Sequence, residues 1–377
     1  MDFALSEEQE MFRTYLRKFL EKQGQTDIAR EFIQKNTTVL DTALAGLAEL
    51  GVTAVNIPEN YEGLGLGNVD LIPVFEEIGR ALLPGALLET LALAVPLLEK
   101  YGTEKQKSKY LPEIAAGNRT MTLAWLEPNG DYAPEDVQCT AVLNNNKLMV
   151  NGTKELVPDA DLVDTFLTVV RTSDSNGKDG LSLLLIDKTE DMQVDLQQCL
   201  DESKHLAKIT FDNHSVSKEQ VLGETGQGWQ LLEEGLLHLN SALSSMLTGG
   251  MDRVVEMATE YAKIREQFGG PIGRFQAVKH PIVDMKVELE SARSLSYYAA
   301  WALENDEKDK AAAIYSARSF ATEAFIRAAS QNIQIHGGIG FTEEIDCHLF
   351  LKRSRFYENY LGSDLSFNEK IATALGW

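Results

Sequence analysis

The sequence predicts an α+β multidomain chain, with a helical domain over residues 1–118, a β domain over 119–222 and a helical bundle over 223–377. Three observations carry this reading. Apolar residues recur at helical spacing toward both ends of the chain. Short β-rich runs separated by turn-forming clusters fill the middle. The length of 377 residues suits two or three domains at roughly 150 residues each.

Ser6 before EEQE is an N-cap with acidic residues in the first turn, and Met11, Leu16 and Leu20 follow at helical spacing. TALAGLAELG, VDLIPVFEEIGRALL and LETLALAVPLLEKYG read as further apolar helices, punctuated by Gly51, Gly63, Gly65, Gly67 and Pro84. From Thr120 the texture changes to TMTLAWLEP, CTAVLNNNKLMVNG, DTFLTVVRT, GLSLLLID and KITFDN, which are strands between Asn, Asp, Gly and Ser clusters. After Gly223-Glu224-Thr225-Gly226, long amphipathic stretches with short connections predict a bundle.

The composition, 44% hydrophobic and 24% charged, is that of a folded protein. With 35 Lys+Arg against 57 Asp+Glu, the net charge of −22 argues against nucleic acid or a membrane surface as partner. A few local arginines can still hold a small anion. No stretch approaches the roughly 18 apolar residues of a membrane span. The N-terminus lacks the basic start and apolar run of a signal peptide. Cys139, Cys199 and Cys347 show no C-x-x-C or metal-ligand spacing, and His336 and His348 show none either. The expectation is a cytoplasmic protein with reduced thiols and no metal.

FALSEEQE, IPENYEGLGLG, the Leu126-Glu127-Pro128 turn, VNGTKELVPDADLVD, REQFGGPIGRFQAVKH and QIHGGIGFTEE occur in an order that resembles the acyl-CoA dehydrogenase family over nearly the whole chain. The resemblance implies a C-terminal four-helix bundle, an oligomer, FAD as cofactor and oxidation of the α,β-carbons of an acyl-CoA thioester. It further implies that one subunit grips the flavin of its neighbour through R-x-x-F-G, a following F-Q and Q-x-x-G-G. Here those positions are Arg265, Phe268, Gln276, Gln334, Gly337 and Gly338, and all match. A guanidinium offers several donors to a pyrophosphate, and paired glycines let backbone approach a nucleotide. Read without the family, Arg265 is a solvated helix-end cation and Gly337-Gly338 a helix C-cap.

The groups that the resemblance assigns to a subunit's own flavin are missing. The base, a Glu before a Gly in the family, falls at Leu361 before Gly362. The alternative base position, on the first long helix of the bundle, falls at Leu239, beside Asn240 where the family carries a CoA-contacting Arg. The pattern T-E-P-x-A-G-S-D reads Leu126-Glu127-Pro128-Asn129-Gly130-Asp131, and the flavin-contacting Trp and Thr are replaced by Leu156 and Pro158. Leucine takes no proton, and proline has neither N–H nor hydroxyl. Glu358 is either a displaced base or the ion-pair partner of Arg353 or Arg355.

The expected function is therefore a subunit of a heteromeric acyl-CoA dehydrogenase that contributes to a partner's FAD site and has no catalytic residue of its own. Such subunits are similar to those of bacterial two-chain enzymes acting on fatty or steroid side-chain thioesters. The implied partners are acyl-CoA, a homologous acyl-CoA dehydrogenase subunit and an electron-transferring flavoprotein as acceptor. The alternatives are a self-sufficient FAD enzyme with a displaced base and a flavin-free relative with a binding role.

Overall fold

The computed structural model describes residues 5–128 and 130–377, with every side chain among them except that of Asp364. Phe3 and Ala4 of the opening motif and Asn129 of the Leu126-Glu127-Pro128 turn lie outside the described residues.

Helix α1 (Glu7–Lys22) begins where the sequence predicts, with a reciprocal cap: Gln9 N–H donates to Ser6 Oγ at 3.2 Å and Ser6 N–H donates to Gln9 Oε1 at 2.9 Å. Helices α2 (Asp27–Ile33), α3 (Thr38–Glu49) and α4 (Leu71–Arg80) follow. Helix α5 (Leu87–Glu89) continues through a π-helical turn, Thr90–Ala94, into α6 (Val95–Tyr101), and α7 (Glu104–Ala115) completes this part. Apolar periodicity alone gives no sign of the π turn. It is held by polar side chains: Asn56 Nδ2 donates to the Leu91 carbonyl at 2.7 Å, and Met121 N–H donates to Thr90 Oγ1 at 2.9 Å.

One sheet contains β1 (Met121–Ala124), β2 (Thr140–Asn144), β3 (Lys147–Pro158), β4 (Thr165–Arg171), β5 (Leu181–Asp187), β6 (Gln193–Gln197), β7 (Leu206–Ser217) and β8 (Val221–Leu222). Its order is β6-β7-β3-β2-β4-β5-β8, with β1 added parallel to β4. The Asn cluster makes the predicted turn: Asn145 and Asn146 both have positive φ, as a two-residue β2–β3 hairpin requires. Strand β6 escapes the sequence pattern because it is an edge strand with few buried positions. The β3–β7 ladder slips between Lys154 and Val157, and Leu156 on that bulge takes φ 51°.

The helical texture returns with α8 (Gly228–Ile264), a small hairpin of β9 (Glu266–Gln267) and β10 (Gly270–Pro271), then α9 (Gln276–Glu304), α10 (Lys310–His336), α11 (Cys347–Glu358) and α12 (Asp364–Ala374). The predicted order of helices, strands and helices is the observed one.

The chain forms two compact units, one of residues 44–67 and 85–239, the other of residues 1–43, 68–84 and 240–377. The first contains the sheet, whose core includes Phe166, Val170, Leu184, Ile186, Ile209 and Phe211. In the second, α10 packs against α9, α11 and α12. Helices α4 and α8 cross at glycines: a Cβ on Gly79 would stand 1.9 Å from the Met246 carbonyl oxygen, and one on Gly249 1.8 Å from that of Glu76. Around this crossing, Glu76 meets Arg13 at 3.3 Å and Arg293 at 3.2 Å, while Arg80 meets Asp252 at 2.7 Å. Burial raises the Glu76 carboxyl, opposed chiefly by Arg293 and Arg13. The network fixes α8 and α9 against α1 and α4 and so sets where the far end of α8 lies.

Candidate functional site

The Arg265 motif occupies the turn between α8 and α9. Between β9 and β10, Phe268 has φ 52° and Gly269 φ 84°, the two-residue hairpin geometry that favours Asn-Gly or Gly-Gly. A phenylalanine there is locally unfavourable, and its ring is 87% exposed, held only edge-on by Phe275 at a centroid distance of 6.0 Å. A bulky apolar group in a strained, solvated position adds little to packing, which makes Phe268 a candidate functional residue.

The two arginines of REQFGGPIGRF divide the work. Arg274 donates to the carbonyls of Phe268 and Gly269 and holds the hairpin. Arg265 is exposed, and its guanidinium makes no hydrogen bond or ion pair with any described residue. Gln276, the first residue of α9, is exposed as well.

The second motif ends α10. Gln334 is exposed, and its side-chain amide has no partner among the described residues. Gly337 caps the helix at φ 66°, ψ −141°, and a Cβ on either Gly337 or Gly338 would meet nothing within 4 Å. This is open backbone that a ligand can approach. The two motifs are brought together by Tyr261 and His336, whose rings stack with centroids 4.1 Å apart and planes at 24°. Sequence reading missed Tyr261 and Arg274. The glycine pair after Phe268 was the one local signal of the hairpin that Arg274 supports.

The opposite set of positions is apolar or otherwise engaged. Leu156 is 44% exposed, and its N–H donates to Gln197 Oε1 at 3.0 Å. Pro158 is buried at the end of β3, paired with Leu206. Glu127 is a structural carboxylate: it accepts Lys154 Nζ at 2.6 Å, Gln138 N–H at 2.8 Å and Cys139 N–H at 3.0 Å, and Lys154 is fully buried. Asp131 accepts the N–H of Tyr132 at 2.8 Å. Leu361 is 6% exposed and takes φ 61°, unfavourable for leucine, just before Gly362 at φ 138°. Leu239 and Asn240 are buried in α8.

Glu358 is paired with Arg355, both carboxylate oxygens 2.9 Å from Nη1, as the bland reading of that residue expected. Ser363 caps α12, accepting Ser366 N–H at 3.4 Å. Glu234, near the start of α8, is an engaged carboxylate. It binds Lys100 and Tyr101, and the hydrogen bonds from these two residues, chiefly that of Lys100, hold its pKa below the usual range against the effect of burial. Among the described residues, no group of three or more His, Cys, Asp or Glu could hold a metal ion. No described helix is long and apolar enough to cross a membrane.

Comparison with known proteins identifies the family. Residues 6–118 match the family description "Acyl-CoA dehydrogenase, N-terminal domain" and residues 226–375 match "Acyl-CoA dehydrogenase, C-terminal domain". The mitochondrial isovaleryl-CoA dehydrogenase of Solanum tuberosum is 31% identical over 324 residues, covering 83% of this chain and 77% of the relative. The chain belongs to the acyl-CoA dehydrogenase family. Among solved structures, a glutaryl-coenzyme A dehydrogenase in complex with glutaryl-CoA superposes with a TM-score of 0.92 at 28% identity, covering 100% of this chain and 97% of the other. The FAD complex of PigA superposes with a TM-score of 0.91 at 26% identity, covering 100% and 99%. This is a family of FAD-dependent oxidoreductases.

For FAD, the residues of this chain fit one half of a binding site. Arg265, Gln334 and the open Gly337-Gly338 turn offer free donors and backbone suited to a pyrophosphate and nucleotide. At the positions that the resemblance assigns to flavin and substrate, the side chains of Leu156, Pro158 and Leu361 each carry no hydrogen-bonding or proton-accepting group.

Proposed function

We propose that this chain is the base-less subunit of a heteromeric, FAD-dependent acyl-CoA dehydrogenase, in which it completes the cofactor site of a homologous subunit that carries the catalytic Glu. The observation that carries the reading is the asymmetry of the site. Arg265 and Gln334, which this reading assigns to a neighbour's cofactor, are exposed and unengaged, while Leu361, which it assigns to the base position, is a buried leucine.

In this reading residues 1–118, 119–222 and 223–377 are the three domains of the family architecture. Arg265 would hold the cofactor's pyrophosphate, and Gln334, the Gly337-Gly338 backbone, Phe268 and Gln276 would hold its nucleotide portion. FAD, when bound, supplies the hydride acceptor for oxidation of the α,β-carbons of an acyl-CoA. An electron-transferring flavoprotein is the fitting final acceptor, and the cytoplasm the fitting compartment for three free thiols.

Arg265→Ala is expected to weaken FAD retention in the mixed complex by roughly tenfold or more, because a charge-assisted contact is worth about 1.5–3 kcal/mol. Equilibrium dialysis of FAD against wild-type and variant complexes measures this. Unchanged retention would remove Arg265 from the site.

A further inference from the structure

Tyr261 and His336 tie together the two segments that carry the free arm. Tyr261 lies one turn before Arg265, whose N–H donates to the Tyr261 carbonyl at 2.8 Å. His336 is the last residue of α10, two residues after Gln334 and directly before Gly337. Its Nδ1 lies 2.9 Å from the Asn332 carbonyl, and since a carbonyl only accepts, Nδ1 bears the hydrogen. Burial holds the imidazole below its ordinary pKa, so the ring is neutral. Gly340 packs close to the same residue, where an added Cβ would stand 2.9 Å from His336 Cβ. The imidazole is thus a fixed flat plate, and the Tyr261 phenol lies on it.

Arg265 is exposed at a helix end, and Gly337 and Gly338 have no side chains with which to anchor themselves. Two segments that must meet one dinucleotide have to be held within a fraction of an ångström of the right spacing. We propose that the Tyr261–His336 stack is the positioning element that sets the spacing between the Arg265 arm and the Gln334–Gly338 turn, so that FAD binding depends on two rings that do not touch the cofactor. The inference rests on the reading of this arm as half of a FAD site.

The test titrates FAD into the apo-complex of this chain with its homologous partner, followed by quenching of flavin fluorescence, with folding checked by circular dichroism. Tyr261→Ala and His336→Ala are each expected to weaken FAD about three- to tenfold, the scale of an aromatic pair. The double variant is expected to be no weaker than either single one, and Tyr261→Phe, which keeps the ring, to bind as wild type does. If Tyr261→Ala fails to fold, Tyr261→Leu, which keeps the bulk and loses the stacking face, is expected to show the same loss. Wild-type affinity in the folded Ala or Leu variants, or additive losses in the double variant, would overturn the proposal. Arg265→Ala, titrated in parallel, separates the two levels. If it binds FAD normally, the reading of the arm fails. If it binds weakly while the stack variants bind normally, only the positioning role fails.

Discussion

The purified chain alone is expected to turn over no acyl-CoA thioester, and mixing it with a homologous acyl-CoA dehydrogenase subunit that carries the catalytic Glu is expected to restore turnover. A positioned general base contributes about 10²–10⁴-fold to a rate, and Leu361 cannot provide one. The deficit is larger than that single factor. In the proposed reading, Leu156 and Pro158 also lack the groups a flavin ring would meet, so the isolated chain would have no hydride acceptor as well as no base. Leu361→Glu by itself is accordingly expected to leave the isolated chain inactive. A steady-state assay with an artificial electron acceptor, run over a panel of thioesters, measures both. Robust turnover by the isolated wild-type chain would favour a self-sufficient enzyme.

The second large effect concerns the middle sheet. Glu127→Ala is expected to cost about 3–5 kcal/mol, a large part of a typical total stability of about 5–15 kcal/mol. The substitution leaves the fully buried Lys154 ammonium with only the Trp125 carbonyl at 3.0 Å, and frees the N–H groups of Gln138 and Cys139. Replacing both partners, Glu127→Gln with Lys154→Met, is expected to recover most of the loss, since the penalty comes from an uncompensated buried charge. Urea unfolding followed by circular dichroism reads the difference. A loss below about 1 kcal/mol would show that the pair is not buried as described.

Glu127 also shows where reading the sequence stops. Its motif was legible, but its role as the buried partner of Lys154 depends on the segment after β1 running beside β3, where Glu155 N–H donates to the Leu126 carbonyl at 2.9 Å, which no local pattern encodes. Periodicity and turn chemistry were enough for the capped start of α1, the Asn145-Asn146 hairpin and the long helices after Gly228. They were not enough for the π turn at Thr90–Ala94, whose carbonyl is taken by the distant Asn56, nor for β6, an edge strand with little apolar pattern. At the candidate site, the residues of REQFGGPIGRFQ and QIHGG could be read from the sequence. The Tyr261–His336 stack was not visible, because it joins residues far apart in sequence whose types alone fit any amphipathic helix.

The count of flavin per chain tests the central claim most directly. Co-expressed with its homologous partner and purified as a complex, this chain is predicted to be found with one FAD for each pair of unlike chains, and to be colourless when purified alone. One FAD bound to every copy of the isolated chain would contradict it.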